Sequence, residues 1–149
     1  MRRIMLVAMS LALGCAPSPP RVRIGPDAHA LDDLVRRHPL ADGVNVRADE
    51  VARTAAATLH LVQVRGGEAP HRHERHDMVV TVLRGQGVLV AGCAEHLLRA
   101  GDVAVVPRGE PHWFTNRGRD PAVALVVFAP PLDAPDMTPL DVDSSRDAR

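Results

Sequence analysis

Downstream of Val44 the chain is cut into short runs bounded by glycine, proline or charged residues: Val44–Arg47, Ala55–Val64, Met78–Leu83, Val88–Ala91, Glu95–Leu98, Val103–Val106, His112–Thr115 and Ala122–Phe128. Strand-sized runs at short, even spacing predict an all-β fold, an antiparallel sandwich or closed barrel, and exclude alternating strand–helix–strand units. The 149 residues suffice for one domain. Eighteen arginines and no lysine balance 18 acidic residues, and without a long basic run the chain lacks the footprint of a nucleic-acid binder. Trp113, Phe114 and Phe128 are the only aromatics, which argues against a stacking platform for bases or sugars.

The N-terminus reads as a targeting segment. Met1-Arg2-Arg3 is basic, and Ile4 to Leu13 is apolar, about the length of a signal-peptide core and too short to span a bilayer. The run ends Leu11-Ala12-Leu13-Gly14-Cys15, which resembles the bacterial lipobox. That resemblance implies cleavage after residue 14 and lipidation of Cys15, membrane contact through this anchor alone, and residence on the periplasmic side of the envelope. Ala16 after the cysteine points to the outer membrane. Residues 15–26 form a proline-rich linker, and Cys93, the remaining thiol, is expected to be buried and inert. Ala28 to Arg37, with Asp27 as N-cap and Pro39 beyond the end, predicts a short amphipathic helix at the start of a domain over residues 27–129. Residues 130–149, rich in Pro, Asp and Ser, read as a frayed tail.

The chemistry concentrates in His71-Arg72-His73-Glu74-Arg75-His76-Asp77. His71 and His73 are two apart, so in an extended segment both rings project to one face, a natural metal chelate. His112 lies on a separate run downstream. A single histidine of this kind is usually a surface residue; the cluster stands out because of the framework around it.

That framework is Gly101-x5-Pro107-x-Gly109-x2-His112-x3-Asn116, and upstream of it run Gly67-x5-His73, the His71-x-His73 pair and the strand-and-turn Val79 to Gly87. Together these are similar to the two motifs of the cupin superfamily, over Leu59 to Phe128. The resemblance implies a small single-domain cupin barrel, in which His71, His73 and His112 hold one divalent transition metal (Fe, Mn, Ni, Cu or Zn). It also implies a homodimer paired through edge strands, with Trp113, next to an inward His112, as interface anchor. Gly85, Gly101 and Gly109 suit the positive-φ corners of such a barrel.

The chain departs from the family at one ligand. The position of the usual glutamate, seven residues before Gly85, is Met78. Strand parity turns Met78 inward and Asp77 outward unless a bulge re-aims it. Three arrangements stay open: a three-histidine site, one completed by Asp77, or one completed by His76. Glu110, Arg108 and Arg84 near the turns read as solvated charges, and His29, His38, His60 and His96 receive no role. A small-molecule substrate or ligand is implied, and oxidative catalysis at a metal with open positions stands beside non-catalytic binding or a purely structural module.

Overall fold

The computed structural model describes residues 20–141; Met1 to Cys15 and the last eight residues lie outside the described residues. A hairpin of β1 (Arg21–Ile24) and β2 (Asp27–Ala30) leads into helix α1 (Leu31–Arg37). Then come β3 (Val46–Arg53), β4 (Thr58–Val64), β5 (His71–His73), β6 (Asp77–Arg84), β7 (Gln86–Ala91) and β8 (Ala94–Arg99). The series closes with β9 (Val103–Val106), β10 (His112–Asn116), β11 (Ala122–Ala129) and β12 (Met137–Pro139). Two five-stranded antiparallel sheets, ordered β3-β4-β11-β6-β9 and β12-β5-β10-β7-β8, enclose a central cavity. This is the expected all-β antiparallel barrel with a short N-terminal helix.

Period-two alternation explains both faces of the first sheet. His60, Val62 and Val64 of β4, Met78, Val80 and Val82 of β6, and Ala124, Val126 and Phe128 of β11 line the cavity. The intervening Leu61 and Val123 point the other way, where they meet Leu31 and Leu34 of α1 and Val22 of β1, all buried. The hairpin and helix thus cap the outer face of β4 and β11, and Gln63 adds a 2.6 Å bond from Nε2 to the His38 carbonyl. At the corners the chain turns on Gly85 (φ 83°) and Gly101 (φ 100°), conformations that suit glycine.

Several boundaries differ from the sequence reading, for local reasons. Asp27 is not an N-cap: it pairs with Ile24 across the Gly25-Pro26 turn, so β1 occupies the end of the expected linker and the helix starts only at Leu31. A glycine at φ 60° followed by proline closes a tight hairpin there. The run expected from Ala55 begins at Thr58, because Thr54 Oγ1 accepts from the Ala56 and Ala57 N–H groups and makes a turn. Cys93 is exposed, at the β7–β8 turn, not buried. The first part of the expected tail is a strap: β12 pairs with β5, Leu132 N–H donates to Thr58 Oγ1, and the Asp136 carboxylate accepts from Arg75 N–H and bonds His76 Nδ1.

Candidate metal centre

β5 is three residues long, polar, and held between β10 and β12. His71 sits directly opposite His112 in the antiparallel pair, and His73, two residues on, shares the face of His71. The ring centroids are 4.4 Å apart for His71–His112, 5.3 Å for His71–His73 and 5.5 Å for His73–His112. One nitrogen from each ring can be chosen so that all three lie within 4.8 Å of one another. That is the spacing of a preformed chelate.

The hydrogen bonds also fix which nitrogen is available. His71 Nδ1 lies 2.8 Å from the Ala69 carbonyl and His112 Nδ1 2.9 Å from that of Glu110. A carbonyl only accepts, so each Nδ1 carries a proton, and in the neutral ring that leaves Nε2 its lone pair. His112 Nε2 is buried with no partner, as is His73 Nδ1. Backbone carbonyls that orient metal-ligating histidines act in this way. Burial pushes His73 down to about 4, helped by the neighbouring His112 and His71, and lowers His112 for the same first reason. Both rings are therefore neutral at physiological pH, the state a metal requires.

The triad opens onto a cavity of about 500 Å³ with mainly hydrocarbon walls. Two polar groups there escaped the sequence reading. Glu68, on the loop before β5, lines the cavity; its Oε2 accepts from Phe114 N–H at 3.0 Å, and burial raises its pKa, against the pull of nearby His71. No spacing rule singles out a loop carboxylate that is turned inward by a backbone donor on another strand. His60, given no role from the sequence, is 7% exposed, lines the cavity and leaves Nε2 unbonded. Its parity with Val62 and Val64 was the available signal.

Neither candidate for completing the site joins the triad. Asp77 points outward as parity requires; hydrogen bonds from Arg108, one of them 2.7 Å from Nη2, hold its carboxyl down at about 2. His76 is buried elsewhere, between the Asp136 carboxylate and the Pro131 carbonyl. Met78 is 5% exposed and faces the cavity. Arg84 bonds Asp32 of the helix, and Glu110 contributes through its carbonyl. Trp113, outside the cavity lining, is half-buried.

The Cupin_2 family model, described as the cupin domain, matches residues 58–128. Just under half of the chain is therefore similar to a cupin domain. That span runs from β4 to β11 and contains the triad, Glu68, His60 and Met78. An uncharacterized protein of Aquifex aeolicus is 37% identical over 76 residues, 51% of this chain and 62% of that one. The chain thus spans under two thirds of that relative. TT1209 from Thermus thermophilus is similar with a TM-score of 0.56 and 31% identity, over 64% of this chain and 94% of that one. KdgF from Halomonas sp. gives a TM-score of 0.55 and 26% identity, over 60% and 84%. Within the matched span the residues fit a metal: two histidines have their tautomers set for Nε2 ligation, and the third has a free, neutral ring.

Proposed function

We propose that the protein is a metal-dependent cupin of the bacterial cell envelope that performs oxidative chemistry on a small organic molecule held inside the barrel. One observation carries this reading: three imidazoles, two of them with a buried and unpartnered nitrogen, converge on the wall of an apolar cavity large enough for a small ligand. A divalent transition metal bound there supplies Lewis-acid or redox chemistry with coordination positions beyond the three histidines. The chain's own groups do the rest. Hydrocarbon from Val80, Val82, Leu89 and Val126 excludes water and holds the ligand body. Glu68, its pKa raised by burial against the opposing pulls of His71 and the Phe114 N–H, presents a carboxyl group to the cavity for acid–base work on the ligand.

The test is oxygen uptake by iron- or manganese-loaded protein against a panel of thiols, diketones and phenolics. Uptake with one class, lost in His112→Ala, is the expected result; metal bound with no uptake across the panel moves the reading to ligand binding without catalysis. The envelope placement rests on Met1 to Cys15: labelled palmitate enters the wild type and not Cys15→Ser, and an unlabelled wild type removes the anchor. A homodimer belongs to the same reading, with Val103 and Val105 of edge strand β9, 59% and 66% exposed, as apolar surface to cover. A monomer by light scattering at micromolar concentration contradicts it.

A further inference from the structure

His60 has no part in the triad, yet it is as buried as His71, at 7% exposure each. It stands on β4, on the face that lines the cavity. Its ring meets Phe128 edge-on at 5.1 Å, and His73 meets the same phenyl at 5.1 Å. The centroids of His60 and His73 are therefore no further apart than twice that distance, a span that a small molecule covers. Nε2 of His60 is buried without a hydrogen-bond partner. Buried polar atoms are nearly always paired, so an orphan of this kind calls for an explanation. Glu50, Asp49 and Arg53 of β3 act on the ring only through charge.

We propose that His60 is the second recognition point of the cavity, and that the ligand is a small bifunctional molecule. One end carries an oxygen donor directed at the triad, the other a hydroxyl or carbonyl that bonds His60, and the body between them is flat and apolar enough to lie along Phe128. This rests on the reading that the triad holds a metal. A neutral imidazole both donates and accepts, so either oxygen function satisfies it. Met78 and Val126, which line the same cavity, add apolar wall.

A rigid probe pair separates the two ends. Benzoate presents a carboxylate alone; 3- and 4-hydroxybenzoate add a hydroxyl on the far side of the ring. Calorimetry on zinc-loaded wild-type protein should find one hydroxylated isomer about tenfold tighter than benzoate, the worth of one hydrogen bond to a desolvated partner. In His60→Leu that preference falls to near one; His60→Gln, which keeps an amide in the same place, retains part of it. A readout without mutation guards against misfolding: in wild-type protein labelled with ¹⁵N-histidine, the His60 nitrogen resonances shift with the preferred isomer and not with benzoate. Equal affinity of all three probes, or a preference that survives in His60→Leu, overturns the His60 assignment and leaves the metal reading standing. No binding of any probe to zinc-loaded protein likewise overturns the His60 assignment, whereas a protein that takes up no zinc overturns the metal reading.

Discussion

Replacing Met78 by glutamate supplies the acid that the similar cupin motif has at this position, and its effect can be worked out from the site. Met78 is 5% exposed, packs with Phe128 and Val106, and lines the cavity beside the triad. In metal-free protein the substitution removes about 2 kcal/mol of apolar burial and leaves a carboxyl among hydrocarbon, roughly another 1–3 kcal/mol. For a domain of this size each kcal/mol lowers the melting temperature by about 4 °C, so metal-free Met78→Glu should melt roughly 12–20 °C below wild type. Zinc reverses the sign. A negatively charged oxygen beside three neutral imidazoles strengthens divalent-metal binding, and we expect about tenfold or more. Ligand linkage then returns part of the lost stability at saturating zinc. Differential scanning fluorimetry with and without zinc, with Met78→Leu as a near-isosteric control, measures both halves. A zinc-induced gain no larger in Met78→Glu than in wild type refutes the reasoning, because Met78 would then face somewhere other than the metal.

Asp77→Ala removes the outward ion pair with Arg108 and should change zinc affinity by less than about twofold, since exposed pairs contribute little; a loss equal to that of a histidine variant places Asp77 on the metal. Acid should destabilise the metal-free protein in a defined window. Burial pushes His73 down to about 4 when folded against 6.5 for a free imidazole, so on acidification through that interval the unfolded chain takes up a proton that the native state refuses. Its contribution to stability is intact above pH 6.5 and falls toward pH 4; urea midpoints that stay flat over that range contradict the assignment. Gly87→Ala should fail to fold or lose several kcal/mol, about 3 or more, because the added Cβ would stand 2.2 Å from Phe114 Cζ and 2.4 Å from the Thr115 carbonyl. Wild-type stability by urea denaturation would contradict the registry of β7 with β10.

What the sequence disclosed, and what it hid, follows from where the information lies. β6, β10 and β11 carry their own alternation, so their faces, the inward Met78 and the outward Asp77 were readable from parity alone. The triad was readable because His71-x-His73 places two rings on one face and His112 stands at a fixed place in a framework of turns. β5 and β12 are three residues each with no apolar period, and exist because they pair with one another and with β10. Of β3 only the start showed, in the run Val44–Arg47, because its charges, Arg47, Asp49, Glu50 and Arg53, pair among themselves on an edge strand. Glu68 is the plainest limit: its inward turn depends on Phe114 N–H, 46 residues away. His76, an attractive neighbour of the triad in sequence, is claimed by Asp136, whose carboxylate is held below its usual range against the effect of burial by the bonds from His76 and Arg75.

If His71, His73 and His112 together hold one divalent metal, a zinc titration followed by calorimetry on metal-stripped protein will read it out. One equivalent should bind to the wild type, with affinity falling by about a hundredfold or more in each of His71→Ala, His73→Ala and His112→Ala, while His76→Ala, outside the cluster, keeps the wild-type isotherm. Zinc bound as tightly by His112→Ala as by the wild type, or a wild type that binds none, would contradict it.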